Sequence, residues 1–207
     1  MVYYMSRLII STSLTPNIVM HVVACSGVAG KREYGEKFAH TVTEQEKAFV
    51  HRFRKDFAHR PPIAGGPFFN ILFQIPSYFH AESLKQTIWS YDLLLDGLQG
   101  NLFGKGISPE EAKALDFWSP KELRSQSLAS LKPMLSEIES IINQFKAILV
   151  SYHNRFYRDH WNKVMPRLMA KAERIQASVK DIDVFGIWSK VLGKKFSYLR
   201  FVIYLYE

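Results

Sequence analysis

Seven histidines, one cysteine and one dense run of aromatic and basic residues hold most of the reactive side chains in this sequence. The run is Tyr152-His153-Asn154-Arg155-Phe156-Tyr157-Arg158-Asp159-His160-Trp161-Asn162-Lys163. On a helix, spacings of three, four and seven place His153, Tyr157 and His160 on one stripe beside Arg155, Arg158 and Asn162. Such a set can hold a phosphate or stack a base. The competing reading is a half-buried helix whose aromatic residues face a core. His153, Tyr157, His160, Arg155 and Arg158 are therefore the candidate ligand-binding residues.

Other chemistries are looked for at their required spacings. Zinc hydrolysis needs two histidines one helical turn apart beside a glutamate, and no two of His21, His40, His51, His59, His80, His153 and His160 are three or four residues apart. His153 and His160 would sit about 10 Å apart along a helix axis, too far to share one ion. Gly100-Asn-Leu-Phe-Gly104-Lys105-Gly106 resembles a phosphate loop but is one residue short between its glycines, and Gly106 stands where the magnesium-binding hydroxyl belongs. His21 lies one turn before Cys25, the order of a base and a nucleophile. The intervening Val22, Val23 and Ala24 instead read as the setting of a buried, inert thiol. The carboxylate pairs Glu110/Glu111 and Glu137/Glu139 suit helix caps and polar faces. The expectation is no catalytic residue, no metal ligand and no cofactor.

The 207 residues carry 27 Lys and Arg against 19 Asp and Glu, a formal charge of +8. The excess is lopsided: residues 1–118 contribute +1 and residues 119–207 contribute +7. A basic half attracts nucleic acid or an anionic membrane surface, and it also keeps a chain in solution. With 47% hydrophobic and 22% charged residues the composition is that of a packed domain. A single cysteine excludes an internal disulfide and points to a reducing cytoplasm. The apolar stretch Ile18 to Cys25 is far short of the ~20 residues needed to span a bilayer. Pro16 and Asn17 interrupt any signal-peptide core before it reaches useful length, so the N-terminal region reads as mature structure.

The elements that would position these groups follow from local patterns. Arg7–Ser13 predicts a strand, Thr15-Pro16-Asn17 a turn, and Asn17 onward a helix closing at Gly27 and Gly30. Thr43-Glu44-Gln45-Glu46 is a capping box, followed by Phe49, Phe53 and Phe57 opposite His51, Arg52, Arg54 and Lys55. Arg60–Pro67 predicts a loop and Phe68–Ile75 a buried apolar run. Ser83 starts a helix to about Leu98 with Ile88, Trp89, Leu93, Leu94 and Leu95 inward, and Gly97 to Gly106 form its exit loop. Ser108-Pro109 and Ser119-Pro120 start two more helices. From Pro133 the 3.6-residue period runs through Leu135, Ile138, Ile142, Phe145, Leu149, Tyr152, Phe156 and Trp161, and Pro166 either kinks that helix or begins another. Phe185, Trp188 and Leu192 predict a short helix ending at Gly193, and Leu199–Tyr206 a final strand. Together they predict a predominantly helical α+β fold whose first and last strands pair beside a helical body. The chain reads as one domain, 1–207, with any subdivision near 104–108.

Trp161, Pro166-Arg-Leu168, Trp188 and Leu192-Gly-Lys-Lys-Phe196, followed by Val202-Ile-Tyr-Leu-Tyr-Glu207, resemble the region preceding the zinc helix in uncharacterised prokaryotic metallopeptidase-like proteins. The resemblance covers about the last 55 residues. It implies a strand leading toward an H-E-x-x-H helix, and the sequence carries no such motif. On that resemblance the chain would be a truncated or inactive relative. The leading expectation is a non-catalytic binding or interaction module in the cytoplasm, with a protein or an anionic ligand as partner. The alternative is nucleic-acid binding through the basic second half.

Overall fold

A computed structural model describes residues 7–28, 32–57, 79–98, 135–193 and 200–207. In chain order these form β1 (Arg7–Thr12), α1 (Leu14–Cys25), α2 (Arg32–Phe38), a 3-10 turn (Ala39–Thr41), α3 (Glu44–Phe57) and α4 (Leu84–Leu98). They continue with α5 (Leu135–Tyr152), a π-helical turn (His153–Tyr157), α6 (Arg158–Val179), α7 (Val184–Leu192) and β2 (Arg200–Leu205). The fold is mainly helical α+β, and β1 pairs in parallel with β2, Arg7 opposite Arg200 through Thr12 opposite Leu205. The first and last strands do meet, as the need of their backbone amides for partners predicts.

The chain divides into two compact units, Leu14–Arg158 and Met1–Ser13 with Asp159–Glu207. The considered subdivision near 104–108 lies outside the described residues, as do the loop at 60–67, the apolar run at 68–75, the glycine-rich exit loop from residue 99 onward and the capping sequences at Ser108 and Ser119.

In the unit Leu14–Arg158, α1 starts at Leu14, three residues before the expected cap. Pro16 is accommodated inside the first turn, where its missing N–H would have no helical partner in any case, so Thr15-Pro16-Asn17 is helix and not turn. Ile18, Val19, Val22 and Val23 are buried as expected. The capping box forms: Glu46 N–H donates to Thr43 Oγ1 at 3.2 Å and Thr43 N–H donates to Glu46 Oε2 at 2.7 Å. Ser83 opens α4 by a similar exchange with Gln86. Leu93 and Leu94 face the core, whereas Trp89 is exposed, with its ring edge-on to Phe79. Thr87 and Ser90 take buried positions on α4 instead, Thr87 bonding Thr15 Oγ1 at 3.0 Å. Polar side chains with satisfied hydroxyls thus occupy places that the apolar pattern alone would give to Trp89.

Tyr91 on α4 is fully buried against Phe145, with ring centroids 5.7 Å apart. Among the described residues its hydroxyl has no hydrogen-bond partner, and burial pushes its ionisation well above the usual phenol range. An unsatisfied buried hydroxyl is a cost that phenylalanine avoids. Tyr91→Phe is expected to raise stability by about 1 kcal/mol, read as a higher urea midpoint at unchanged slope. A lower midpoint would show that the hydroxyl is satisfied.

In the other unit, α6 packs its buried face of Trp161, Val164, Leu168 and Ala172, and Pro166 lies within it without ending the helix. Its Gln176 closes the outer edge of β1: Ile10 N–H donates to Gln176 Oε1 at 2.8 Å, and Gln176 Nε2 donates to the Leu8 carbonyl at 3.1 Å. One side-chain amide thereby does the pairing that a third strand would do at that position. Asp183 caps α7 by accepting from Gly186 N–H at 2.8 Å, and Gly193 ends it at φ +62°, as the sequence predicts for that glycine.

Candidate functional site

The aromatic and basic segment singled out in the sequence contains a π-helical turn, His153–Tyr157. Its origin is visible in the buried positions: Tyr152, Tyr157, Trp161, Val164, Leu168 and Ala172 follow steps of five, four, three, four and four. A regular α-turn cannot carry a five-residue step on one face, and a single wider turn can. Such turns are frequent at functional sites.

That turn decides the fate of the predicted stripe. Tyr157 is buried, its ring 5.0 Å from His21 and 6.0 Å from Tyr152, so it is a core residue and does not line a polar surface. His153 is half-buried with Nδ1 3.4 Å from Asn154 Oδ1. His160 is held by Glu207, Nε2 to Oε2 at 2.6 Å. Arg155 donates through Nη2 to Glu46 Oε2 at 2.7 Å and to the Thr41 carbonyl at 3.1 Å. It therefore ties the π-turn to the start of α3 through the very glutamate that closes the capping box. Arg158 is exposed. Of the five candidates, Tyr157 belongs to one interior cluster, Arg155 is exposed at its edge and bonds Glu46 and the Thr41 carbonyl there, and His160 belongs to the other unit.

The cluster centres on His21 of α1. Its ring is enclosed by Tyr34 and Phe38 of α2, Tyr152 of α5, and Phe156 and Tyr157 of the π-turn, all with centroids between 5.0 and 5.8 Å. His21 Nδ1 lies 2.7 Å from Tyr152 Oη and 3.3 Å from Cys25 Sγ. Tyr152 Oη is 2.7 Å from Thr41 Oγ1, which is 2.7 Å from the Phe38 carbonyl. Proton counting orders this chain. A carbonyl only accepts, so Thr41 donates to Phe38. Tyr152 must then donate to Thr41, and the Tyr152 oxygen accepts from His21 Nδ1–H. The neutral His21 tautomer is thereby fixed with its proton on Nδ1.

The same chain bears on Cys25. Burial pushes its thiol up to about 11, against smaller lowering contributions from side-chain hydrogen bonds to Thr41 and Tyr152. Near neutral pH the sulfur is a thiol and not a thiolate, the opposite of what an activated nucleophile requires. The adjacency of His21, suggestive in sequence, does not activate it, because the imidazole offers Nδ1–H and no free lone pair toward the sulfur. Native protein at pH 8 is expected to resist iodoacetamide at Cys25 by at least tenfold relative to protein in urea, followed by intact mass. Equal rates in the two conditions would contradict the buried thiol.

Thr41, Tyr34 and Phe38 are the cluster members that sequence reasoning missed. Phe38 and Tyr34 are one turn apart on a seven-residue helix, too short to show a period, and Thr41 is separated from its partner Tyr152 by 111 residues. Among the described residues no group of three or more His, Cys, Asp or Glu could hold a metal ion.

A second feature lies on α6. Lys163, Arg167, Lys171 and Arg174 are all exposed. At 3.6 residues per turn they fall within an arc of about 80° and extend over about 16 Å of helix. Arg167 Nη2 comes within 3.7 Å of Glu207 Oε1. No protein family, curated protein or solved structure matches this chain. The reading of function therefore comes from the geometry of these residues.

Proposed function

We propose that this chain is a non-catalytic binding module that recognises an anionic partner through the basic face of α6. The observation that carries the reading is the row Lys163, Arg167, Lys171 and Arg174, four exposed cations on one side of one helix. Cations in register along a helix add their fields over a partner whose charges repeat, and each contact releases counterions. The interior cluster supports a structural and not a catalytic role for His21 and Cys25, since its protons run from imidazole to carbonyl and its sulfur stays protonated. A lone thiol kept reduced suits the cytoplasm. A nucleic acid is the second reading, because the same row would meet a phosphate backbone.

The test separates the row from bulk charge. Lys171→Ser/Arg174→Ser is compared with the charge-matched Lys37→Ser/Lys85→Ser, binding being measured to anionic vesicles and to duplex DNA between 50 and 200 mM salt. The α6 pair is expected to weaken binding at least fivefold and to reduce the log–log salt slope by about 2. The control is expected to change it by less than twofold. Equal losses in the two variants would reduce the effect to net charge and defeat the reading.

A further inference from the structure

The second unit leaves an unusual share of large aliphatic side chains in solvent. Ile182, Ile187, Val191 and Leu192 lie on or next to α7, and Val191 is 75% exposed. Ile187 and Val191 are four residues apart and so share one side of the helix, and Leu192 lies about 100° further round from Val191. The helix is well made all the same, capped by Asp183 at one end and by Gly193 in the left-handed region at the other. An ordered helix with an outward apolar side is built to meet something apolar.

We infer that α7 lies in the interface of an anionic phospholipid membrane, with Ile187, Val191 and Leu192 entering the headgroup and acyl boundary. This deepens the reading of the α6 row and rests on it. Charge points to the occupant: residues 184–206 contain Lys190, Lys194, Lys195 and Arg200 and no acidic side chain, and Asp181, Asp183 and Glu207 flank them. Residues 159–207 of the same unit carry nine Lys and Arg against five Asp and Glu, the α6 row among them. Aliphatic side chains offer nothing to a phosphate backbone, whereas a short helix with an apolar face bordered by a lysine, here Lys190 about 60° from Ile187, is the form that settles on anionic lipid. Size argues against a protein partner. One face of a nine-residue helix is about 14 Å long and about 10 Å wide, far short of the ~800 Å² per partner of a stable interface. A bilayer needs no such area, because each inserted side chain contributes independently and each nearby lysine adds about fivefold in affinity. Among the described residues no helix is long and apolar enough to cross a membrane, so the contact is interfacial.

The experiment uses the full chain and vesicles of phosphatidylcholine alone or with 30% phosphatidylglycerol, in cosedimentation at 50 mM salt. Binding is expected at least tenfold tighter to the anionic vesicles, with free glycerol phosphate at millimolar concentration unable to compete. Val191→Asp alters a residue already in solvent and is expected to keep its urea midpoint while losing at least tenfold in vesicle binding. Unchanged vesicle binding by Val191→Asp, with the α6 pair still defective, would overturn the role of α7 and leave the proposed function standing. Binding to duplex DNA but not to vesicles would overturn it in favour of a nucleic acid. A wild-type dimer in sedimentation velocity that Val191→Asp dissociates would assign the face to a second copy. Competition by free glycerol phosphate, or equal binding to the anionic and the phosphatidylcholine vesicles, would likewise sink it.

Discussion

Replacing Tyr152 by alanine is expected to cost about 3–5 kcal/mol of stability, and replacing it by phenylalanine about 1–3 kcal/mol. Tyr152 is fully buried, lies against the rings of His21, Phe156 and Tyr157, and has the Arg155 guanidinium 5.7 Å from its ring centre. Alanine removes all of this and leaves a cavity at the junction of α1, the 3-10 turn and the π-turn. Phenylalanine keeps the packing and removes only the middle link of the proton chain. His21 Nδ1–H then loses its best acceptor, and Thr41 Oγ1 loses its donor while keeping its own bond to Phe38. The imidazole can respond by moving its proton to Nε2 and accepting from Cys25 S–H, 3.3 Å away, which holds the loss below that of alanine. Urea unfolding of the two variants separates the packing and hydrogen-bond contributions. A phenylalanine variant as stable as wild type would show that the chain of bonds contributes nothing net.

The pH dependence follows with a definite sign. Cys25, Tyr91 and Tyr152 all have their ionisation raised by burial, Cys25 to about 11 and the two phenols well above their ordinary range. In each case the folded state holds its proton longer than the unfolded chain. The contribution is complete below the unfolded values, near 9 for the thiol and 10 for the phenols, and is lost as pH rises toward the folded values. Tyr152→Phe removes one of these groups, so its decline between pH 9 and 11 should be shallower than that of wild type.

Much of the architecture is readable because its signals are local. Thr43 and Glu46 are three residues apart and bond each other, Ser83 and Gln86 do the same, and Gly193 sits where a left-handed residue must stop a helix. The pairing of β1 with β2 is inferable from need, since neither strand could leave its amides unmet. The interior cluster has no such signature. Its bonds join Thr41 to Tyr152 and Glu46 to Arg155 across more than a hundred residues, and nothing in either stretch names the other. The π-turn hides for another reason. A reading at 3.6 residues per turn carries Phe156 forward as the next core position, and only the fixed places of Tyr157 and Trp161 expose the five-residue step. That is why Tyr157 looked like a member of a polar stripe. The α7 face illustrates a third limit, because apolar spacing shows that a helix has a greasy side but not whether that side turns inward.

Gly35→Ala tests the closeness of α1 and α2 in a way that reverses an ordinary expectation. In mid-helix, alanine is preferred over glycine by about 1 kcal/mol, so propensity alone predicts a more stable protein. At Gly35 a methyl group would sit inside the contact radius of the Ala24 backbone carbonyl, both its oxygen and its carbon. That carbonyl cannot swing aside, because it accepts from Gly27 N–H at 2.9 Å in the turn that ends α1, where Gly27 takes φ +74°. The only relief is to move α2 outward, and α2 carries Tyr34 and Phe38 against the His21 ring. Shifting it loosens two ring contacts and stretches the bond from Thr41 to the Phe38 carbonyl. Overpacking of this kind costs about 1–3 kcal/mol and more where backbone must yield, so the net change is expected to be a loss of about 2–3 kcal/mol. The near-ultraviolet circular dichroism of the aromatic cluster should weaken at the same time. A gain in stability with an unchanged spectrum would mean that α1 and α2 are farther apart than this glycine implies, and that the enclosure of His21 does not depend on it.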